Sequence, residues 1–340
     1  MTAYLLVTLF LALPALLNPK SKILAFIALT LLCALSSFRE NVGFDYDAYY
    51  NWARYGIDDF SNQFIEPSSK LILIVAYKLD EPQIFFIISS IMISGFYGLA
   101  LIRTSRYPVF AIFSFYCLPL LFLFSLSVVR QFMAGSLMFY AITVYRKRAI
   151  FAIIFLLLAG SFHYSAWLAG MSFIFLGQLN RKYSALILMA LLSLAPFIFQ
   201  FILEPIFSNQ PYFDRYLSED LRSGLKLFGF YYCLAAFLIL LREWGIVFDH
   251  LYFNMFLIGV FILGMLSPIN EIVARGAIYF LVFGALLIPE ALSQINPKIV
   301  SRYLAIICLI CLLLYQFYLG IKNPKDDPYI PYKISLPYIE

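Results

Sequence analysis

The chain has 340 residues, 63% of them hydrophobic and 13% charged, with a formal net charge of +5. A soluble domain is nearer half apolar and a quarter charged, so this composition excludes a soluble globular enzyme. The long continuous apolar runs exclude a transmembrane β-barrel, whose strands alternate. The positive charge does not point to nucleic acid, because the basic residues lie in short clusters between apolar runs, where they act as topology signals.

The expected fold is therefore an all-α polytopic integral membrane protein. It is read as a single transmembrane domain over residues 1–340, with about ten to thirteen transmembrane or re-entrant helices and short extracytoplasmic loops. The start, Met1-Thr2-Ala3-Tyr4, lacks a basic n-region, so residues 3–17 read as a first span rather than a cleaved signal peptide. Further spans are expected at 21–38, 83–102, 109–127, 129–145, 184–204, 227–241, 250–266, 276–292 and 303–320. Two apolar stretches fit no ordinary span. Residues 67–79 are short for one crossing, and residues 149–177 are long for one and short for two.

Basic residues in short loops set orientation. Lys20 and Lys22, Arg103 and Arg106, Arg146 to Arg148, Arg181 and Lys182, Arg242, and Lys298 with Arg302 can all be cytoplasmic at once under two conditions. Residues 67–79 must be re-entrant or interfacial, and residues 149–177 must form a hairpin of two short helices turning near Gly160 to His163. The loops 39–66 and 205–226, the segment 267–275 and the starts of the spans carrying unusual polar residues then share the outer face. The tail 322–340, rich in proline and tyrosine, reads as an extended external segment. The five cysteines lie in apolar runs and report no redox compartment.

Several residues stand out against this background. In Ser127-Val128-Val129-Arg130-Gln131 an arginine and a glutamine sit side by side inside apolar sequence, which is costly at membrane depth. A guanidinium keeps its proton and can grip a phosphate bidentately; it can also snorkel or form a structural ion pair. His163 lies at the expected hairpin turn beside Ser161, Tyr164 and Ser165. Its imidazole can take a proton from a hydroxyl, or can be a hydrogen-bonded packing residue. Glu271 and Arg275, four apart, share a helical face and read equally as an ion pair or as a second phosphate clamp after the broken Ser267-Pro268 entrance. The loop 39–66 carries Glu40, Asp45, Asp47, Asp58, Asp59 and Glu66 among Tyr46, Tyr49, Tyr50, Trp52 and Tyr55. Aromatic faces beside carboxylates suit sugars, and the same composition suits a solvated loop with an interfacial aromatic belt. His250 beside Asp249 is read as structural. No nucleotide-binding or metalloprotease motif is present. Asp45-Tyr46-Asp47 has a metal-like spacing, but two arginines can neutralise a diphosphate without a cation, so neither metal nor other cofactor is expected.

The order Gly43-Phe44-Asp45-Tyr46-Asp47-Ala48-Tyr49-Tyr50, Glu66, Val129-Arg130-Gln131 with Ala134, Phe162-His163-Tyr164-Ser165-Ala166, Arg275 with Tyr279-Phe280, and Pro331-Tyr332 resembles the EpsG family, which includes Wzy-type O-antigen and exopolysaccharide polymerases. The resemblance covers most of the chain. It implies a GT-C-like glycosyltransferase of the bacterial inner membrane working at the periplasmic face. Such an enzyme transfers a growing glycan from undecaprenyl diphosphate onto the non-reducing sugar of another lipid-linked repeat unit, without nucleotide sugar. Under it, Arg130 and Arg275 would hold the diphosphate, and His163 would orient or deprotonate the acceptor hydroxyl. Asp45, Asp47 and Glu66 would position sugars, or one of them could replace His163 as base, and Tyr50, Gln131, Ser165 and Glu271 would also bind the substrate. A chain-length regulator and a flippase are partners implied by the resemblance alone. The competing functions are a flippase or transporter for a lipid-linked oligosaccharide, and a membrane acyltransferase using His163. A transporter should carry cations through the depth of a cavity with repeat symmetry, whereas here the polar residues cluster at one face and no repeat is visible.

Overall fold

The structure is a computed structural model that describes residues 2–58, 64–173, 185–198, 201, 222–267, 273–322 and 328–334. In chain order its helices are α1 (Thr2–Leu17), α2 (Lys22–Ser37), α3 (Tyr46–Tyr55), α4 (Pro67–Lys78), α5 (Gln83–Thr104), α6 (Pro108–Cys117), α7 (Phe122–Ser125), α8 (Val129–Val144), α9 (Ala149–Phe162), α10 (Ser165–Ser172), α11 (Ala185–Ile198), α12 (Arg222–Glu243), α13 (His250–Leu266), α14 (Ile278–Leu281), α15 (Gly284–Gln294) and α16 (Lys298–Lys322). A 3₁₀ turn, Val273–Ala277, precedes α14, and two short strands, β1 (Arg39–Glu40) and β2 (Lys333–Ile334), pair antiparallel. Among the described residues four stretches are long and apolar enough to cross a membrane: Gln83–Thr104, Leu225–Glu243, Arg275–Gln294 and Lys298–Tyr318. Six shorter apolar helices accompany them. This is an all-α membrane architecture.

The chain forms two compact units, Met1–Met171 with Asn296–Glu340, and Ser172–Ile295. In the first, α8 packs along α9 and α5, α2 along α5, and α1 against α6 and α16. Its core is aromatic: Tyr97 meets Phe115 and Phe139 with ring centroids 5.1 and 5.5 Å apart. In the second, α13 lies against α11, α12 and the 3₁₀ turn. Asp249, the N-cap of α13, accepts a hydrogen bond from the Leu251 amide at 3.0 Å. That accounts for the Asp249-His250 pair as a helix start.

Two expected elements differ. The span expected over 109–127 is broken after Cys117. Pro119 has no amide hydrogen and disfavours helix at the residue before it, so Leu118 is extended (φ −68°, ψ 136°). The break is buried, and the Cys117 carbonyl it frees accepts a hydrogen bond from the Gln316 side chain of α16 at 3.1 Å. Backbone freed at membrane depth needs such a partner. The expected loop 39–66 contains a ten-residue helix, α3, whose Tyr46 and Tyr49 pack on Phe86 and Phe85 at 4.6 and 5.0 Å. The expected hairpin within 149–177 is present and turns at His163 and Tyr164, at the end of the expected stretch 160–163. Its helices close because Gly160 leaves room for the Trp167 indole, where any Cβ would collide.

The tail is docked in its described part. Tyr332 donates to the Leu35 carbonyl at 2.6 Å, Tyr4 donates to the Tyr329 carbonyl at 3.1 Å, and β2 pairs with β1 in the register Arg39↔Ile334. Beneath it lies Arg39, 1% exposed, donating to the Ser36 and Val42 carbonyls and stacked 4.7 Å over the Phe86 ring.

Candidate functional site

The site grows from three helix ends in the first unit. Glu66 is the N-cap of α4, with Pro67 in the first turn, where a proline costs no hydrogen bond. Its carboxylate does not cap its own helix; it turns toward the ends of α8 and α9. Two serines in the first turn of α4 set the distance. Ser69 donates to the Phe162 carbonyl at 3.0 Å, and the Ser68 and Ser161 hydroxyls pair at 2.7 Å. They clamp α4 to the end of α9, whose C-cap is His163.

The result is a carboxylate shared between two cationic-type partners. Glu66 Oε1 lies 2.5 Å from His163 Nδ1, and Glu66 Oε2 accepts from Arg130 Nη1 at 2.5 Å. Glu66 is 2% exposed, while the His163 and Arg130 side chains are 29% and 20% exposed. The carboxylate is thus the hidden hub, and the imidazole and guanidinium are the groups facing outward. Burial pushes the Glu66 carboxyl up, but the His163 hydrogen bond and the Arg130 charge outweigh it and hold it below the usual carboxylate range. An ionised carboxylate can only accept, so Nδ1 of His163 donates, and in the imidazole form of the ring the lone pair is then on Nε2.

Arg130 sits in the first turn of α8, where the helix dipole disfavours a cation. Glu66 compensates it, Nη1 also donates to the Phe64 carbonyl at 3.2 Å, and the buried Tyr49 hydroxyl is a further hydrogen-bond partner. Burial above all raises the Tyr49 phenol, so Tyr49 is neutral in this contact. Nε of Arg130 is buried with no partner among the described residues. The α8 start is held from the other side by Ser127, whose Oγ accepts from the Phe44 amide at 3.0 Å and lies 3.2 Å from the Tyr329 hydroxyl. Gly43 adopts φ +109° there and donates to the Pro328 carbonyl at 2.7 Å; a Cβ would overlap the Leu126 carbonyl. Loop, tail and helix start therefore meet at one point.

Of the residues singled out in the sequence, the structure brings together Arg130, His163 and Glu66. Gln131 is buried beside Arg130 and Ser165 is exposed at the start of α10. Asp45, the half-exposed N-cap of α3, raises the Tyr49 phenol through its charge; Asp47 is exposed in the first turn. Tyr50 is exposed and stacked on Tyr46 at 6.0 Å. Arg275 lies in the 3₁₀ turn of the second unit. Glu271 lies outside the described residues, as do residues 205–221 of the expected loop. Sequence reasoning missed Ser68, Ser69 and the role of Tyr49. The available signal was Glu-Pro-Ser-Ser at the start of a short apolar helix, a polar first turn with no solvent-facing reason. Among the described residues no group of three or more His, Cys, Asp or Glu is placed to hold a metal ion.

A multi-pass helical membrane protein whose buried carboxylate joins an arginine to a histidine at three helix ends is the class these observations define. The EpsG family profile matches residues 22–334, nearly the whole chain. The chain belongs to the EpsG family, a family of Wzy-like polymerases. Nothing among the curated proteins or the solved structures matches it.

Proposed function

We propose that the chain is a glycosyltransferase that polymerises undecaprenyl-diphosphate-linked oligosaccharide repeat units at the periplasmic face of the inner membrane, building an O-antigen or exopolysaccharide without nucleotide sugar. The observation that carries this reading is the Glu66 carboxylate bridging His163 and Arg130 in a chain of a polymerase family. Glu66 orients the imidazole through Nδ1, leaving Nε2 to accept a proton, as a buried carboxylate does in hydrolytic triads. The acceptor hydroxyl attacks the anomeric carbon of the donor. The new C–O bond forms as the bond to the diphosphate breaks, the hydroxyl proton passes to His163 Nε2, and the electron pair leaves on the diphosphate.

Arg130, reinforced by the positive start of α8, meets the diphosphate charge. Asp45, Asp47, Tyr50 and Ser165 belong to the glycan-facing surface. Glu66 itself, hidden and committed on both oxygens, acts as a positioning residue rather than a sugar contact. The outer-face location rests on the six basic loops, and a flippase and a chain-length regulator would act before and beside this step.

The test is complementation of a polymerase-null host with wild type, Arg130→Lys, Glu66→Gln and His163→Ala at matched membrane levels, read as a glycan ladder. Wild type should restore the ladder. Arg130→Lys keeps the charge but loses the planar fork and should cut polymer about 10–100-fold, and the other two should leave single repeat units. Restoration by His163→Ala would remove the histidine from the chemistry. A wild type that moves lipid-linked units across the membrane without joining them would overturn polymerisation.

A further inference from the structure

A groove of about 710 Å³ opens between α3 and α4, a volume in the range of small-molecule sites. Trp52 and Tyr55 of α3 and Tyr77 of α4 give it an aromatic lining; Asp58, Lys70 and Lys78 give it charge. The geometry of α4 makes the lining regular. Lys70, Leu73, Ile74, Tyr77 and Lys78 fall at spacings of three and four, so they form one stripe along the helix. At 1.5 Å per residue the two lysines stand about 12 Å apart along the axis, with the aromatic surface between them. Gly56, at φ +90°, lets the chain after α3 fold against the Tyr77 ring, 3.6 Å from where a Cβ would be. Three charged side chains around the groove place it in water or at the interface rather than among lipid tails.

The groove adjoins the Glu66 site. Lys70 is one helical turn from Glu66, and the Lys70 amide donates to the Glu66 carbonyl at 2.9 Å. Tyr49, hydrogen-bonded to Arg130, meets Trp52 edge-on at 5.7 Å. An aromatic path thus runs from the guanidinium to the groove. Ring faces take the CH surface of sugars, and ammonium groups take carboxylate or phosphate oxygens. Two lysines against one aspartate leave the groove net positive.

We propose that this groove is a glycan subsite that holds the polymer next to the reacting linkage and selects chains bearing acidic groups, such as uronic acids, pyruvate ketals or phosphate substituents. The proposal rests on the polymerase reading of the Glu66 site. Trp52 and Tyr77 carry the sugar rings, and Lys70 and Lys78 pair with acidic groups along the chain.

The experiment uses the full chain in nanodiscs with Trp167→Phe and Trp244→Phe, so that Trp52 is the remaining indole of the three. Trp52 emission is followed on adding a hyaluronan octasaccharide, which is anionic, or maltooctaose, which is neutral. Discs are made of phosphatidylcholine alone or with phosphatidylglycerol. Saturable change with hyaluronan in neutral discs, weakened about tenfold or more by Lys70→Gln with Lys78→Gln and weaker with maltooctaose, supports the subsite. Equal response of the double variant, no response to either sugar, or a response to phosphatidylglycerol alone overturns it, the last assigning the groove to a lipid headgroup. In cells the double variant should shorten an acidic polymer ladder while still joining the first units, whereas Glu66→Gln removes the ladder. An unchanged ladder with Glu66→Gln would sink the polymerase reading and leave the binding result standing.

Discussion

Glu66 shows how one residue can set the chemistry of two others. Alone in the sequence it is the last of six acids in a polar loop. In the structure both its oxygens are committed at 2.5 Å and it is almost wholly buried. Its carboxyl is held below the ordinary value of 4.5. A depressed carboxyl contributes stability above its unfolded value, and that contribution is lost as pH falls through the folded value. The wild type should therefore lose thermal stability as pH falls below about 4.5, where the unfolded chain's carboxylate takes up protons ahead of the folded one. Glu66→Gln should lack that acid-limb contribution and be weaker by about 1–3 kcal/mol at neutral pH, because Arg130 is left with an amide in place of its counter-ion. Thermal melts of the detergent-solubilised protein across pH would check both. Parallel pH curves for the two proteins would mean that the pairing adds nothing to folding.

At the scale of elements, the site is a convergence of ends rather than faces. The starts of α4 and α8 and the end of α9 carry Glu66, Arg130 and His163. Helix ends are where polar groups are tolerated near a membrane, because unsatisfied backbone must be met there in any case. What holds the α8 start is Ser127 with the Gly43-Phe44 turn. Gly43→Ala forces a left-handed φ on a residue with a Cβ and drives that Cβ into the Leu126 carbonyl. It should cost about 1–3 kcal/mol and loosen the loop from α8. Limited proteolysis within 39–58, faster in the variant than in wild type, is the readout; an unchanged cleavage rate would show that the turn does not anchor the loop. The apolar periodicity and length made nearly every helix legible, including the short α4 and the α9–α10 hairpin. The break at Leu118 was also written in the sequence, as Cys-Leu-Pro-Leu inside an apolar run, but periodicity alone reads across it.

Across the first unit, the docked tail joins the chain's two ends. Tyr329 and Tyr332 reach Tyr4, Ser127 and Leu35, and β2 covers the strand that begins with buried Arg39. Removing residues 328–340 should lower stability by about 2–4 kcal/mol, the worth of two partly buried tyrosines and their hydrogen bonds. It should also reduce polymer, because Ser127 loses one of its partners next to the Arg130 helix. A melting curve and a ladder for the truncated protein test this, and wild-type values for both would make the tail dispensable.

The sequence by itself determined the membrane class, the positions of most helices and the family, since apolar length, basic loops and short polar motifs are local properties. It also marked Arg130 and His163, because an ionisable group inside apolar sequence is costly enough to need a reason. Only the tertiary structure decided that Glu66 joins them, that Ser68 and Ser69 set their spacing, and that Arg39 belongs to the core. Those facts depend on contacts between residues 64 and 97 positions apart and on burial created by a tail some 300 positions away. No periodicity within one segment encodes where another segment's side chain ends.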